Sequence, residues 1–129
     1  MQIRIELTDL PIVGSATPAI VGGKVGAWTE FRGLVRGEEG GMAIRALEYE
    51  AYPRMAEREL RRLVEALSRR HNCLGAHVIH RVGVVPVGQA AIYVGVASSH
   101  RAQGFSFLVE FMDRLKQDVP IWKRRAQPA

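Results

Sequence analysis

The sequence predicts an α+β domain, a mainly antiparallel sheet carrying two principal helices. Three observations lead there. Short runs alternate apolar and polar residues, the period of half-buried strands. Two longer stretches repeat apolar residues at spacings of three and four, the period of a helix with one buried stripe. The order is strand, strand pair, helix, two strands, helix, which is not the strict strand–helix alternation of a parallel α/β sheet. With 129 residues, the chain is expected to form one domain spanning 1–129. Its 47% hydrophobic content is enough for a core without disulfide or metal staples.

Taken in order, QIRIEL at 2–7 alternates and forms the first strand. Residues 8–25 carry Pro11, Gly14, Pro18, Gly22 and Gly23 and read as loop, with at most a short helix. GAWTEFRGLVR at 26–36 and MAIRALEYE at 42–50 are strands, joined through GEEGG as a hairpin with a loop longer than two residues. Pro53 suits the first turn of a helix, where its missing N–H costs nothing. Ala56, Leu60, Leu63, Val64 and Leu67 then form the buried stripe, and Gly75 closes the segment.

AHVIHRVG at 76–83 and QAAIYVGVA at 89–97 are strands separated by VVPVG. In the second, Ile92, Val94 and Val96 line one face, while Ala91, Gly95 and Ala97 leave the other small enough for close packing. Ser98 or Ser99 caps the second helix, because a serine oxygen satisfies free N–H groups at a helix start. Phe105, Leu108, Val109, Met112 and Leu115 are its main stripe, with Phe107 and Phe111 to one side. So wide an apolar arc suits contact with more than one surface. The helix ends near Lys116 or Gln117, ahead of Pro120, and a basic tail follows.

The net charge is +5 and the pI near 10.0, which favours an anionic partner such as a phosphate, a carboxylate, nucleic acid or an acidic protein. The helix MAERELRRLVEALSRR mixes both signs, and the unmixed basic run is KRR at 123–125. The interleaved aromatic and basic residues that stack single-stranded bases are missing. No apolar run reaches membrane-spanning length, and the N-terminus reads as a strand rather than a signal peptide. One cysteine, Cys73, allows no intramolecular disulfide and no metal set, and is read as a small core-edge residue. His71, His77 and His80 lack ligand company at zinc spacing. The expected compartment is the cytoplasm.

Four stretches concentrate reactive groups. Arg32 and Arg36 sit four apart on a strand and so share a face, either as a fork for an anion or as solvent-facing residues. His100 and Arg101 stand at a helix N-terminus, where cations oppose the dipole unless an anion lies between. Lys116 and Lys123 flank Val-Pro-Ile-Trp; they are either an ordinary helix end with its tail, or two ammonium groups held near one anion. Glu48 and Glu50 share a strand face, as an acid–base pair or as partners for nearby arginines. Tyr49, Tyr52 and Trp122 read as packing residues.

GAWTEFRGLVR, LEYEAYPRMAE, HRVGVVPVG, SSHR before a Phe-bearing helix, and LKQDVPIWK occur in a distinctive order. In that order and spacing the chain resembles the large, catalytic subunits of molybdopterin synthase, over roughly residues 26–124. The resemblance implies an α/β-hammerhead fold and a sulfurtransferase. The reaction it implies moves sulfur from the C-terminal thiocarboxylate of a small ubiquitin-like subunit onto cyclic pyranopterin monophosphate, giving molybdopterin. No cofactor is permanently bound. A homodimer forms the centre of a heterotetramer, without nucleic acid or membrane. By position in the family motifs, Lys116 is the leading catalytic residue, as nucleophile or proton shuttle. Lys123 is the second, binding and electrostatic. Arg36, His100 and Arg101 bind anions, with both protomers contributing; Phe31 lines the pocket for the tail, and Pro120-Ile121-Trp122 sets the angle between the lysines.

The sequence departs from the family in four places. Arg125 stands where a glutamate is common, which removes a salt bridge near the pocket. Gln89 stands where glutamate is frequent. Gly104 replaces a common alanine at a cost in helix stability. The segment after the first strand is short, so the family's early helix is reduced. The competing readings are a non-catalytic basic module that docks a ubiquitin-like or acidic partner, and, on charge alone, a nucleic-acid binder.

Overall fold

In a computed structural model, which describes residues 1–13, 18 and 20–129, the chain opens with β1 (Gln2–Thr8), β2 (Ala27–Leu34), β3 (Glu38–Glu39) and β4 (Met42–Ala51). It continues with α1 (Pro53–Arg70), β5 (Cys73–Arg81), β6 (Gly83–Pro86), β7 (Ala90–Ser98), α2 (Arg101–Asp118) and β8 (Ile121–Pro128). The first sheet runs β1-β5-β7-β2, with β1 parallel to β5 and the other pairs antiparallel. The second is built on β4, which pairs antiparallel with β3, β6 and β8. The α+β class with a mainly antiparallel sheet is as the periodicity predicts.

Alternation explains the main core. Ile92, Val94 and Val96 point to one side of β7 and meet Leu60, Leu63, Val64 and Leu67 of α1 and Phe107, Leu108 and Phe111 of α2. Removing each such side chain from water contributes roughly 1.5–3 kcal/mol. The other face of β7 is small at Ala91, Gly95 and Ala97 and carries one large side chain, Tyr93. A Cβ on Gly95 would run into the Trp28 indole, so glycine there lets the indole lie on the sheet. A second, smaller core joins the sheets through Val35, Ile44, Leu47, Val85 and Ala91.

Several expectations are corrected. The strands at 26–36 and 42–50 do not form one hairpin: β2 pairs with β7, and β4 turns back on the two-residue β3. Gly40 and Gly41, at φ 60° and 82°, make the tight turn that needs two left-handed residues. VVP in the presumed separator is itself β6, paired with β4. Gly75 lies inside β5, not at the helix end, where Asn72 takes the left-handed conformation at φ 57°. Among the described residues of 8–26 no helix occurs; Gly14, with the rest of 14–17 and 19, lies outside them.

At the second helix, His100 is the N-cap, and Gln103 Oε1 accepts from its backbone N–H at 3.1 Å. Ser98 and Ser99 donate instead to the carbonyls of His100 and Lys24, so neither caps. The buried stripe is Gly104, Phe107, Leu108, Phe111 and Leu115, while Phe105 and Val109 are exposed. What was read as a basic tail is β8, and two of its arginines answer the carboxylates of β4: Arg125 to Glu48 at 2.7 Å and Arg124 to Glu50 at 3.6 Å. Glu48 and Glu50 are thus partners for arginines. Arg125 forms a salt bridge here rather than losing one. Gln89 accepts from buried Arg81 at 2.7 Å. Cys73 is buried at the core edge, and burial pushes its thiol up to about 11.

Gly104 faces Thr29 and Ser98 so closely that a Cβ would clash with Thr29 Oγ1. The Gly104→Ala variant gains about 1 kcal/mol of helix propensity but overpacks the α2–β2 contact at a cost of about 1–3 kcal/mol. A lower urea midpoint than wild type is the expected outcome.

Glu110 ties α2 to the end of α1. It accepts from His71 at 2.7 Å, with Arg70 at 3.2 Å and Arg114 at 3.6 Å. The His71 hydrogen bond, helped by Arg70, holds its carboxyl below the usual carboxylate value. A depressed folded pKa adds stability above the unfolded value that is lost as pH falls through the folded one. Glu110→Gln therefore lowers Tm at neutral pH, and thermal melts of the two proteins converge toward strongly acidic pH.

Candidate active site

Where the C-terminal end of α2 meets the second sheet, a cleft of about 500 Å³ opens. Helix α2 supplies Met112, Leu115 and Lys116; β8 supplies Ile121, Trp122 and Lys123; β2 and the residues after it supply Phe31, Gly33, Leu34, Val35 and Arg36. The β3 turn adds Glu38 and Glu39, and Tyr49 and His80 come from β4 and β5.

The backbone explains why Lys116 and Lys123 share this space. Val119 N–H donates to the Leu115 carbonyl at 3.2 Å and closes the helix. Val119 is buried, Pro120 ends any further turn, and the Pro120 carbonyl accepts from Tyr52 N–H at 3.2 Å. The chain then pairs with β4, where Lys123 stands opposite Tyr49 and Arg125 opposite Glu48. Arg124 is the extra residue of a bulge. A bulge re-aims side chains, and here Lys123 reaches Glu39 in the cleft while Arg125 reaches Glu48.

The charges lie at the rim. Arg36, Lys116 and Lys123 are exposed, as is Glu38. Lys123 Nζ donates to Glu39 Oε2 at 3.1 Å, a part-exposed pair worth about 0–1 kcal/mol. The depth of the cleft is neutral. Ile92 and Leu47 are buried there beside His80, 5% exposed. Burial pushes the His80 imidazole down, against a partial offset from its hydrogen bond with the Arg81 carbonyl at 2.7 Å. Tyr49 lies edge-on to His80 at 5.3 Å. Burial first, and Glu39 second, push its phenol up, so it stays protonated.

Of the residues singled out from sequence, the cleft gathers Phe31, Arg36, Lys116 and Lys123. His100 and Arg101 are at the other end of α2, roughly 22 Å away along the axis at 1.5 Å per residue. Arg32 does not share a face with Arg36. The register slips at Gly33/Leu34, and a one-residue slip flips a side chain across the sheet. Arg32 stacks on Tyr93 at 4.7 Å on the back of the sheet, with Glu30 at 3.7 Å. Sequence reasoning missed His80, Tyr49 and Glu39 as cleft residues. For His80 a signal was present: it shares parity with Ala76 and Val78, which are fully buried. For Glu39 there was none, since its place depends on the turn of β3 onto β4.

The family described as MoaE protein matches residues 7–118. The molybdopterin synthase catalytic subunit of Thermoplasma volcanium is 38% identical over 99 residues, 77% of this chain and 72% of that one. The protein of the same name from Caulobacter vibrioides is 36% identical over 127 residues, covering 96% and 83%. Among solved structures, molybdopterin synthase from Staphylococcus aureus superposes with a TM-score of 0.81 at 26% identity, over 95% of this chain and 93% of that chain.

An anion entering the cleft competes with Glu39 for Lys123. Glu39→Gln releases the ammonium, and inorganic phosphate is expected to bind more tightly, by up to about 5-fold for 1 kcal/mol. Phosphate titration followed by NMR shifts of the Trp122 indole measures it; unchanged or weaker binding refutes the competition.

Proposed function

The chain belongs to the MoaE protein family, and from that membership we infer that it is the catalytic subunit of a molybdopterin synthase, a sulfurtransferase of molybdenum cofactor biosynthesis. The observation that carries the reading to the level of residues is the convergence of Arg36, Lys116 and Lys123 on one cleft from three separate parts of the chain. In this reading a small ubiquitin-like subunit brings sulfur as a C-terminal thiocarboxylate, and the acceptor is cyclic pyranopterin monophosphate. Relatives that carry the name of a subunit support a partner chain.

Both reactants are anions at neutral pH, and two anions approaching in water repel each other. Three cations around a part-enclosed cleft offset that repulsion and hold the reactants at reacting distance. The same cations stabilise the negative charge that grows on the acyl group as sulfur is transferred. Lys116 acts on the reacting atoms as nucleophile or proton shuttle; Lys123 and Arg36 hold anionic groups; Phe31 lines the path of the incoming tail. His100 and Arg101 complete the anion set from a second copy of the chain, in a homodimer at the centre of a heterotetramer. No resident cofactor takes part. With one buried cysteine and no disulfide of its own to protect, the enzyme works in the cytoplasm.

Mixing the protein with a thiocarboxylated ubiquitin-like subunit and the cyclic pterin tests this: dithiolene product is expected. Lys116→Ala abolishes turnover, a loss of at least about 100-fold for a group acting in general acid–base or nucleophilic catalysis, while pull-down of the small subunit is unchanged. A docking module without catalysis gives binding and no product with either protein.

A further inference from the structure

The floor of the cleft carries a polar group with no assigned task. His80 is 5% exposed yet lines the cleft. A neutral imidazole has one N–H and one lone-pair nitrogen. The N–H is at Nδ1, which donates to the Arg81 carbonyl at 2.7 Å. That bond fixes both the tautomer and the ring plane, and it leaves Nε2 as an acceptor. The ring is clamped further by Tyr49, edge-on at 5.3 Å. Nε2 has no hydrogen-bond partner among the described residues. The fully enclosed side-chain atoms in that condition are Ser68 Oγ, His77 Nε2 and Arg81 Nε. His80 Nε2 is not enclosed in that way, and the space that the residue borders is the cleft.

An acceptor that a bound ligand shuts off from water without pairing it costs about 1–3 kcal/mol, so a ligand that donates to it is favoured over one that does not. Around it stand apolar walls, Ile92, Leu47 and Met112, with the cations nearer the solvent. That division fits a ligand with a flat, neutral, N–H-bearing ring at one end and an anion at the other. Resting on the function inferred above, we propose that His80 is a specificity-determining contact: its Nε2 accepts a hydrogen bond from a ring N–H of the pterin, whose phosphate stays with the rim cations. The site thereby rejects isosteric rings that present a lone pair at that edge, since two acceptors would face each other.

Two substitutions separate this role from a structural one. His80→Asn keeps a donor for the Arg81 carbonyl and removes the acceptor at the ε position; His80→Gln keeps an acceptor near that position. The expected result is that His80→Asn weakens binding of cyclic pyranopterin monophosphate about 10-fold, His80→Gln recovers most of it, and inorganic phosphate binds all three proteins alike. A second readout uses the wild type alone. The ¹⁵N shift of His80 Nε2 moves when the pterin is added and stays in place with inorganic phosphate. Equal pterin affinity in His80→Asn and wild type, a parallel loss of phosphate affinity, or an unmoved Nε2 resonance in a pterin complex overturns the contact while leaving the proposed function intact. A wild-type protein that binds no pterin overturns both.

Discussion

Antiparallel pairing of β8 with β4 is the constraint on which the site depends. By composition, IWKRRAQP is a basic tail, and as a free tail it would hold Lys123 nowhere in particular. Fixing a residue's backbone costs about 1–2 kcal/mol, and the strand ladder, the Arg125–Glu48 and Arg124–Glu50 pairs and the contact of Trp122 with Tyr52 at 5.2 Å offset that cost. Once β8 is in place, three features of the cleft follow. Ile121 and Trp122 close one side, Lys123 comes opposite Tyr49, and the bulge at Arg124 turns Lys123 and Arg125 to different partners. The helix end fixes the other lysine, so the angle between the two amines is set by Val119 and Pro120 and by the hydrogen bonds on either side of them.

The distribution of polarity in the cleft follows from the cost of burial. An ionised group deep in the protein loses its hydration and is kept only with a close partner. Accordingly the ammonium and guanidinium groups are at the rim, and the interior holds an imidazole and a phenol that burial keeps neutral. Glu39 moderates the rim. It occupies Lys123 and disfavours ionisation of Tyr49, so a single carboxylate on a two-residue strand influences both the charged and the neutral halves of the cleft. The position of that carboxylate rests in turn on the Gly40–Gly41 turn.

Elements with a strong, one-sided period were legible in the sequence: β1 from QIRIEL, α1 from Ala56 through Leu67, and β7 with its large and small faces. Legibility failed where an element is defined by its partner instead of its own pattern. β8 carries charges at adjacent positions because salt bridges to β4 take the place of apolar burial. β6 hides in VVP, since proline at a strand's end looks like a breaker. In α2 the stripe was displaced because Gly104, chosen for closeness to Thr29, carries no hydrophobic signal, while Phe105 and Val109 carry a strong one and remain exposed. Of the site, the residues of LKQDVPIWK and Phe31 and Arg36 were legible through family motifs. Tyr49 and Glu39 were not, because each faces the cleft through strand pairing, and His80 was marked only by the parity it shares with Ala76 and Val78.

The separation of His100 and Arg101 from the lysines follows from the rigidity of α2. An 18-residue helix cannot fold its first turn onto its last, and both ends are anchored: Gln103 and Ser98 hold the start, and the Val119 N–H and the β8 ladder hold the finish. No rotation of side chains spans the roughly 22 Å between them. An enzyme that uses all five of these side chains on one pair of anions must therefore draw them from two chains, with the N-terminus of one α2 near the C-terminus of another. If it stayed a monomer, the two groups would serve separate anions at opposite ends of the helix. For a chemistry that draws on both ends of α2, the geometry of one helix thus requires a second copy of the chain, whichever lysine carries the reacting proton.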